Sequence, residues 1–474
     1  MYDVKSKLAA EFIDHDEVEK TLAEAKEKVR DKAYVQSLID KAAQYQGLTH
    51  KEAAVLTFVE DKELLEEMFR VAKQIKNHIY GKRIVMFAPL YVSDYCVNEC
   101  VYCGYHHSAC MGRKRLSKEE LIEEVKILES MGHKRLAVEA GEDPENCPLD
   151  YIIECLETIY SIKKDKGSIR RANVNIAATT VEEYKRLKEA GIGTYILFQE
   201  TYHKPTYEKM HPKGPKHNYE WHTTAHDRAM EGGIDDVGFG VLYGLYDWHY
   251  EIVSTFLHVE HMEAVFGVGP HTISVPRINP APGVDREMFP HLVCNDDFKK
   301  IVSIIRLAVP YTGMIISTRE EPKFREEVVE LGISQVSSGS CTGVGGYADS
   351  LKKGCGCGQK PQFQVSDERT PIEITKDLIR HGYIPSFCTA CYREGRTGDR
   401  FMSFAKTGQI SNFCQANALL TLKEYSTDYG DEEFKQLTEN LLRTETETIP
   451  NEKVREKTKE YYKRIEAGER DFRW

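Results

Sequence analysis

Two sets of cysteines in this chain have the spacing to do chemistry. Cys96, Cys100 and Cys103 lie within Cys96-Val97-Asn98-Glu99-Cys100-Val101-Tyr102-Cys103. Three thiolates this close can hold three irons of a cubane 4Fe-4S cluster, leaving the fourth iron open to a substrate or cofactor. Zinc is the competing chemistry: a closed structural site needs four ligands, and His106 or His107 would supply the fourth. Cys388, Cys391 and Cys414 form a second set, spaced Cys-x2-Cys-x22-Cys and again one thiolate short of four. A zinc reading there calls on Cys341 or His381. Cys355 and Cys357 read as incidental thiols on a glycine loop, and the isolated Cys110, Cys147, Cys155 and Cys294 as packing residues.

The elements that must position these groups follow from periodicity. Residues 1–81 read as a helical leader. Thr49-His50-Lys51-Glu52 has the form of a capping box, and Leu64, Leu65, Met68, Phe69, Ala72, Ile75 and Ile79 recur at helical spacing until Gly81. From Lys82 the pattern changes to β-rich runs alternating with amphipathic helices. The runs are 83–87, 135–139, 173–177, 193–198, 236–242, 272–275, 313–317 and 333–337, and a second capping box, Ser117-Lys118-Glu119-Glu120, opens the helix after the first. Eight βα units predict an α/β fold, a (β/α)8 TIM-type barrel over 82–340 whose functional groups sit on the loops after the strands. A C-terminal region, 341–474, carries the second cysteine set. The stretch from Asn451 to Trp474 reads as a mixed-charge helix with a solvated face.

The Cys-x3-Cys-x2-Cys spacing with Tyr102 before the last cysteine resembles the radical S-adenosylmethionine (SAM) superfamily. So does Glu139-Ala140-Gly141-Glu142 after the second run, in the place of the superfamily's SAM-binding Gly-Gly-Glu loop. The stretches Phe198-Gln199-Glu200-Thr201-Tyr202-His203, Asp235-Asp236-Val237-Gly238-Phe239-Gly240 and Gly269-Pro270-His271-Thr272-Ile273-Ser274-Val275-Pro276-Arg277 look like its aromatic-amino-acid lyases, and among those the tyrosine lyases. Two families share that barrel: the 2-iminoacetate synthase of thiamine biosynthesis, and the maturase that makes diatomic ligands for FeFe-hydrogenase. The second cysteine set matches the maturase's auxiliary-cluster motif, which the synthase lacks.

The resemblance implies a lyase. Cys96, Cys100 and Cys103 would hold the radical cluster, and Tyr102, Gly141, Glu142, Gln199, Glu200 and Arg277 would contact SAM. L-Tyrosine would be cleaved between Cα and Cβ to p-cresol and dehydroglycine, with Arg319 pairing its carboxylate and Ser338 and Ser340 adding hydrogen bonds. Arg319 paired instead with Glu320 or Glu321 is the alternative. Cys388, Cys391 and Cys414 would hold a second 4Fe-4S cluster carrying an additional iron, on which dehydroglycine becomes carbon monoxide and cyanide. His271 is the candidate protein ligand of that iron, since imidazole suits iron; a free cysteine is another possible ligand. A one-electron donor and hydrogenase maturation proteins are the implied partners. The thiamine synthase remains the alternative within the superfamily, and a non-enzymatic iron-sulfur carrier the alternative outside it.

Composition narrows the classes. A formal net charge of -11 argues against nucleic acid, whose phosphates need a basic face. No apolar run approaches the ~18 residues of a membrane span. The first residues lack the order of a secretory signal, so a cytoplasmic location is expected. In that reducing compartment the thirteen cysteines read as ligands or free thiols rather than disulfides.

Overall fold

The computed structural model describes residues 1–163, 167–278, 288–353, 361–406 and 410–474. The sheet strands are β1 (Arg83–Ser93), β2 (Arg135–Ala140), β3 (Arg171–Asn175), β4 (Tyr195–Ile196), β5 (Val237–Gly240), β6 (Thr272–Ser274), β7 (Gly313–Ile316), β8 (Gln335–Ser337) and β9 (Ile384–Ser386). The first eight run in sequential order, all parallel, and β1 pairs with both β2 and β8. The sheet therefore closes on itself, and the expected (β/α)8 barrel is the fold.

Both expected capping boxes form, Thr49 with Glu52 and Ser117 with Glu120. In the leader, the helix Lys62–Tyr80 buries Met68, Val71, Ala72, Ile75 and Ile79 and stops at Gly81, whose φ of 61° lies in the region glycine adopts freely. Among the described residues no helix is long and apolar enough to cross a membrane.

Two features depart from the expectation, for local reasons. β1 does not stop at Phe87 but runs on through Pro89 to Ser93. Val85 N–H and Phe87 C=O both bond toward β8, so Pro89, two residues on, also faces that edge. There the ladder with β8 has ended, so the missing N–H of Pro89 costs no hydrogen bond. The second departure is a ninth strand. Val85 pairs with Gln335 of β8 and Ser386 of β9 at once, so β9 lies on β1's other edge, just below where β2 begins at Ala88. The sheet thus runs past the expected boundary at 340, and Cys388 follows β9 at the N-terminal mouth of the barrel.

β7, which precedes Arg319, is tied to its neighbours by Arg306. Its guanidinium is fully buried and donates to the carbonyls of Pro310, Thr312 and Gly332, at 2.6 to 3.2 Å. Arg306→Met would leave three buried carbonyls without donors. It should destabilise the protein by about 3 kcal/mol or more, read as a lowered denaturant midpoint with an unchanged m-value.

Candidate functional site

At the C-terminal ends of the strands the barrel holds a cavity of 230 Å³. Cys96, Cys100 and Cys103 line it together with Tyr102, Gly141, Glu142, Glu200, Arg319 and Ser340. Of the expected residues on this side, Gln199, Arg277 and Ser338 do not line it. The Gln199 amide is buried, donating to Thr223 Oγ1 at 2.9 Å. Arg277 forks onto Glu320 at 2.9 and 2.6 Å and stacks over Phe298 and Phe324. Ser338 continues the β8 ladder through its N–H to Phe87, and its buried Oγ has no partner.

The cysteine loop is fixed mainly by backbone. Val97 N–H donates to the Glu142 carbonyl at 2.8 Å, and Val101 N–H to that of Met210 at 3.0 Å. Arg113 spans its base, donating to the carbonyls of Asp94, Tyr105, His106 and His107. Gly141 is required by close approach: a Cβ there would collide with the Tyr95 carbonyl oxygen and crowd Cys96. Asn98 joins three parts of the site, donating to Glu142 at 2.6 Å and weakly to Cys96 Sγ, and accepting from Lys216 N–H at 2.9 Å. Tyr102 is held by its hydroxyl on His211 Nε2 at 2.7 Å.

Burial pushes the Cys100 thiol well up and Cys103 up to about 11. Both stay protonated until a metal displaces the proton. Burial alone would lower the Lys216 ammonium, but Glu200, 2.8 Å away, and the Cys100 thiol outweigh it and hold its pKa above the usual value. Burial also lowers the Arg319 guanidinium, against the pull of Tyr91 and Glu200. Glu320, the alternative partner, is engaged by Arg277, while Arg319 packs over the Phe363 ring at 3.5 Å. Ser340 Oγ is buried without a partner.

A second cluster of groups closes the N-terminal mouth. Cys388, Cys391 and His271 line a small cleft there with Arg83, Arg135, Tyr392 and Phe401. Cys391 and the buried Cys414 are in thiol-thiol hydrogen-bond contact, and that bond, with Arg83 and Arg396, pulls Cys391 down to about 6. Burial drives His271 down to about 4 in spite of Asp236, so its imidazole is neutral. Its Nε2 meets the Tyr392 hydroxyl at 2.6 Å and its Nδ1 lies 3.4 Å from Asp236. The chain's end reaches this region: Arg393 pairs with Asp471 and Arg396 with the Trp474 carbonyl, so 471–474 is not the solvated helix expected, which stops at Glu466.

Tetrahedral zinc, with Zn–S near 2.3 Å, draws its thiolates to roughly 3.8 Å from one another. Among the described residues the one trio of ligand atoms within 4.8 Å is Glu326, Asp377 and His381, on the barrel's flank. Among the described residues neither cysteine set is gathered that tightly as a trio. His381 belongs to that flank trio, and Cys341 is disulfide-bonded, against the expectation of free thiols throughout. Cys110 and Cys294 are exposed rather than packed, whereas Cys155 is buried. Cys355 and Cys357 lie outside the described residues.

Asn98 and Glu139, which lie inside the quoted motifs without a role there, and Lys216, which lies in none, also line the cavity. Burial raises the Glu139 carboxyl to about 8, against a hydrogen bond from Asn175 and the charge of Arg319. The folded protein therefore keeps a proton that the unfolded chain loses near 4.5, so this group makes stability fall as pH rises from about 4.5 to about 8. The stability advantage of Glu139→Gln over the parent should grow between pH 5 and pH 8. Parallel melting curves across that range would show a carboxylate already ionised.

Comparison with known proteins agrees with this arrangement. The Radical SAM superfamily model matches residues 90–258, and the Biotin and Thiamin Synthesis associated domain matches 274–384. The crystal structure of HydG, a maturase of the FeFe-hydrogenase, is 60% identical, with a TM-score of 0.94 over 98% of this chain and 100% of that one. HydG from Carboxydothermus hydrogenoformans is 38% identical, with a TM-score of 0.83 over 96% of this chain and 100% of that one. The 2-iminoacetate synthase of Escherichia coli (strain K12) is 29% identical over 355 residues, 73% of this chain and 89% of the synthase.

Proposed function

Because this chain belongs to the HydG family of FeFe-hydrogenase maturases, a radical SAM enzyme with a 4Fe-4S cluster and SAM, we propose that it cleaves L-tyrosine to p-cresol and dehydroglycine and turns the latter into carbon monoxide and cyanide. The observation that carries the reading is the presence of two cysteine sets at opposite mouths of one barrel. When bound, the first cluster with SAM supplies a 5'-deoxyadenosyl radical, and the second, with an additional iron, supplies the conversion of dehydroglycine.

The chain's own residues supply binding and orientation. Cys96, Cys100 and Cys103 would hold the first cluster as thiolates. Glu142, fixed by Asn98, and the Tyr102 ring, fixed by His211, hold SAM beside that loop. Lys216 orients the Glu200 carboxylate from 2.8 Å away. Arg319 anchors the substrate carboxylate, with Ser340 Oγ as a waiting hydrogen-bond partner. Cys388, Cys391 and Cys414 would hold the second cluster. His271, whose neutral imidazole now meets the Tyr392 hydroxyl through Nε2, would be the protein ligand of the additional iron.

The two sites make the two halves separable. In Cys388→Ala/Cys391→Ala, p-cresol should still form from tyrosine, carbon monoxide should be lost, and glyoxylate, the hydrolysis product of escaped dehydroglycine, should accumulate. Proportional loss of p-cresol and carbon monoxide would instead make the second set a structural support for the barrel. Arg319→Lys keeps the charge and loses the fork. It should raise the tyrosine KM on the order of ten-fold while reductive SAM cleavage persists, and an unchanged KM would remove Arg319 from the substrate site.

A further inference from the structure

Three arginines stand at the N-terminal mouth of the barrel. Arg83, Arg135 and Arg171 are the first residues of β1, β2 and β3, three neighbouring strands, and Arg135 and Arg171 are direct partners in the ladder. They form one side of the N-terminal mouth. Arg83 and Arg135 line the cleft with Cys388 and Cys391, and Arg171 stacks on the Tyr392 ring. Arg135 and Arg171 are 4% and 1% exposed.

Each carries a buried N–H with no partner: Nε of Arg83, Nε of Arg135 and Nη1 of Arg171. Such donors are costly to leave unmade, and more so on a cation. The remaining donors of Arg171 are satisfied by Asn173 and Thr194 at 2.7 Å, with Asp236 at 3.8 Å. Among the described residues Asp236 is the carboxylate that faces this group, 3.8 Å from Arg171. An oxidised cubane on three thiolates has a net charge of about −1. Three guanidinium charges against that cluster and Asp236 leave about one positive charge over, and an additional ferrous iron only enlarges the excess.

We propose that Arg83, Arg135 and Arg171 form a receptor for a small carboxylate at the N-terminal mouth, which takes the carboxylate of dehydroglycine beside the second cluster. The identity of the ligand rests on the function proposed above, whereas the existence of an anion site rests on the arginines alone. A two-carbon α-oxo or α-imino acid is the class that fits, because the cleft is small and the planar forks match a carboxylate in two-pronged pairing.

Glyoxylate has the same two-carbon skeleton and serves as the probe. In the full chain carrying Cys96→Ala/Cys100→Ala/Cys103→Ala, the second cluster is the sole paramagnet after reduction, and glyoxylate is titrated against its electron paramagnetic resonance spectrum. A saturable change is expected, unaffected by equal chloride or by Arg319→Lys, and weakened ten-fold or more in Arg135→Gln and Arg135→Lys with the iron content maintained. Arg135→Lys decides the matter, since it keeps the charge and loses the fork. Unchanged glyoxylate affinity there would mean that the arginines only neutralise the cluster, loss of iron in that variant would make Arg135 a support of the cluster, and absence of any change in the parent would mean that no receptor exists; each overturns the proposal. The titration needs no radical chemistry. If the parent binds glyoxylate but yields no carbon monoxide from tyrosine, the lyase reading falls and the anion site stands.

Discussion

The pairing of β1 on both edges is the constraint from which the rest of the structure follows. It hydrogen-bonds to β8 through Val85–Phe87, to β2 through Ala88–Ser93, and to β9 through Arg83–Val85. The first two pairings close the barrel. The third brings the C-terminal cysteines under it. A one-residue slip of β1 would exchange inward and outward side chains along its whole length. It would also move the loop that begins at Asp94 away from Gly141, where there is no room for even a methyl group. The geometry at both mouths is thus referred to a single strand.

Electrostatics divides the two mouths. At the C-terminal side the cavity mixes Glu139, Glu142 and Glu200 with Arg319 and Lys216, and at least Glu139 stays protonated near neutral pH. At the N-terminal side three arginines face one aspartate. The two cysteine sets differ in how their surroundings treat the thiolate form. Cys100 and Cys103 are thiols raised first by desolvation and then by neighbouring cysteines and Glu200, whereas Cys391 is drawn toward thiolate by Cys414, Arg83 and Arg396. A metal would have to displace the proton in the first set and would meet a partly formed anion in the second.

Much of the scaffold was legible because barrel strands repeat a simple signal, a short β-branched run between a helix and a loop. The runs at 135–139, 272–275, 313–317 and 333–337 differ from β2, β6, β7 and β8 by a residue or two at the ends. β1 was cut short because Pro89 reads as a terminator unless the direction of each N–H is known. β9 was missed because Ile384-Pro385-Ser386 has no length and no alternation, and exists only as an addition to β1. Cysteine spacing carried the site because ligands to one cluster must be close in sequence or held by a short loop. Asn98, Lys216 and Glu139 act through partners 16 to 118 residues away or through burial, and single-residue context does not encode that. Arg277 misled for a related reason. Its place after β6 is that of a site residue, but Glu320 after β7 is nearer than the cavity and satisfies both prongs of its fork.

Tyr392 shows how the C-terminal region completes the barrel rather than merely capping it. A barrel of this size is normally filled by layers of apolar side chains. Here the lowest layer holds Arg83, Arg135, Arg171, Asp236, His271 and Gln335, a set that could not remain buried without polar company. Tyr392 provides part of that company, placing its ring against Arg171 and its hydroxyl on His271 Nε2. It can do so because the short helix Ala390–Arg393 begins two residues beyond Cys388 and follows β9 directly. The segment that carries two of the cysteines therefore also inserts the side chain that satisfies the histidine nearest them. The cysteines at that mouth and the packing of the lower barrel belong to one element, and the C-terminal region pairs into the sheet through β9.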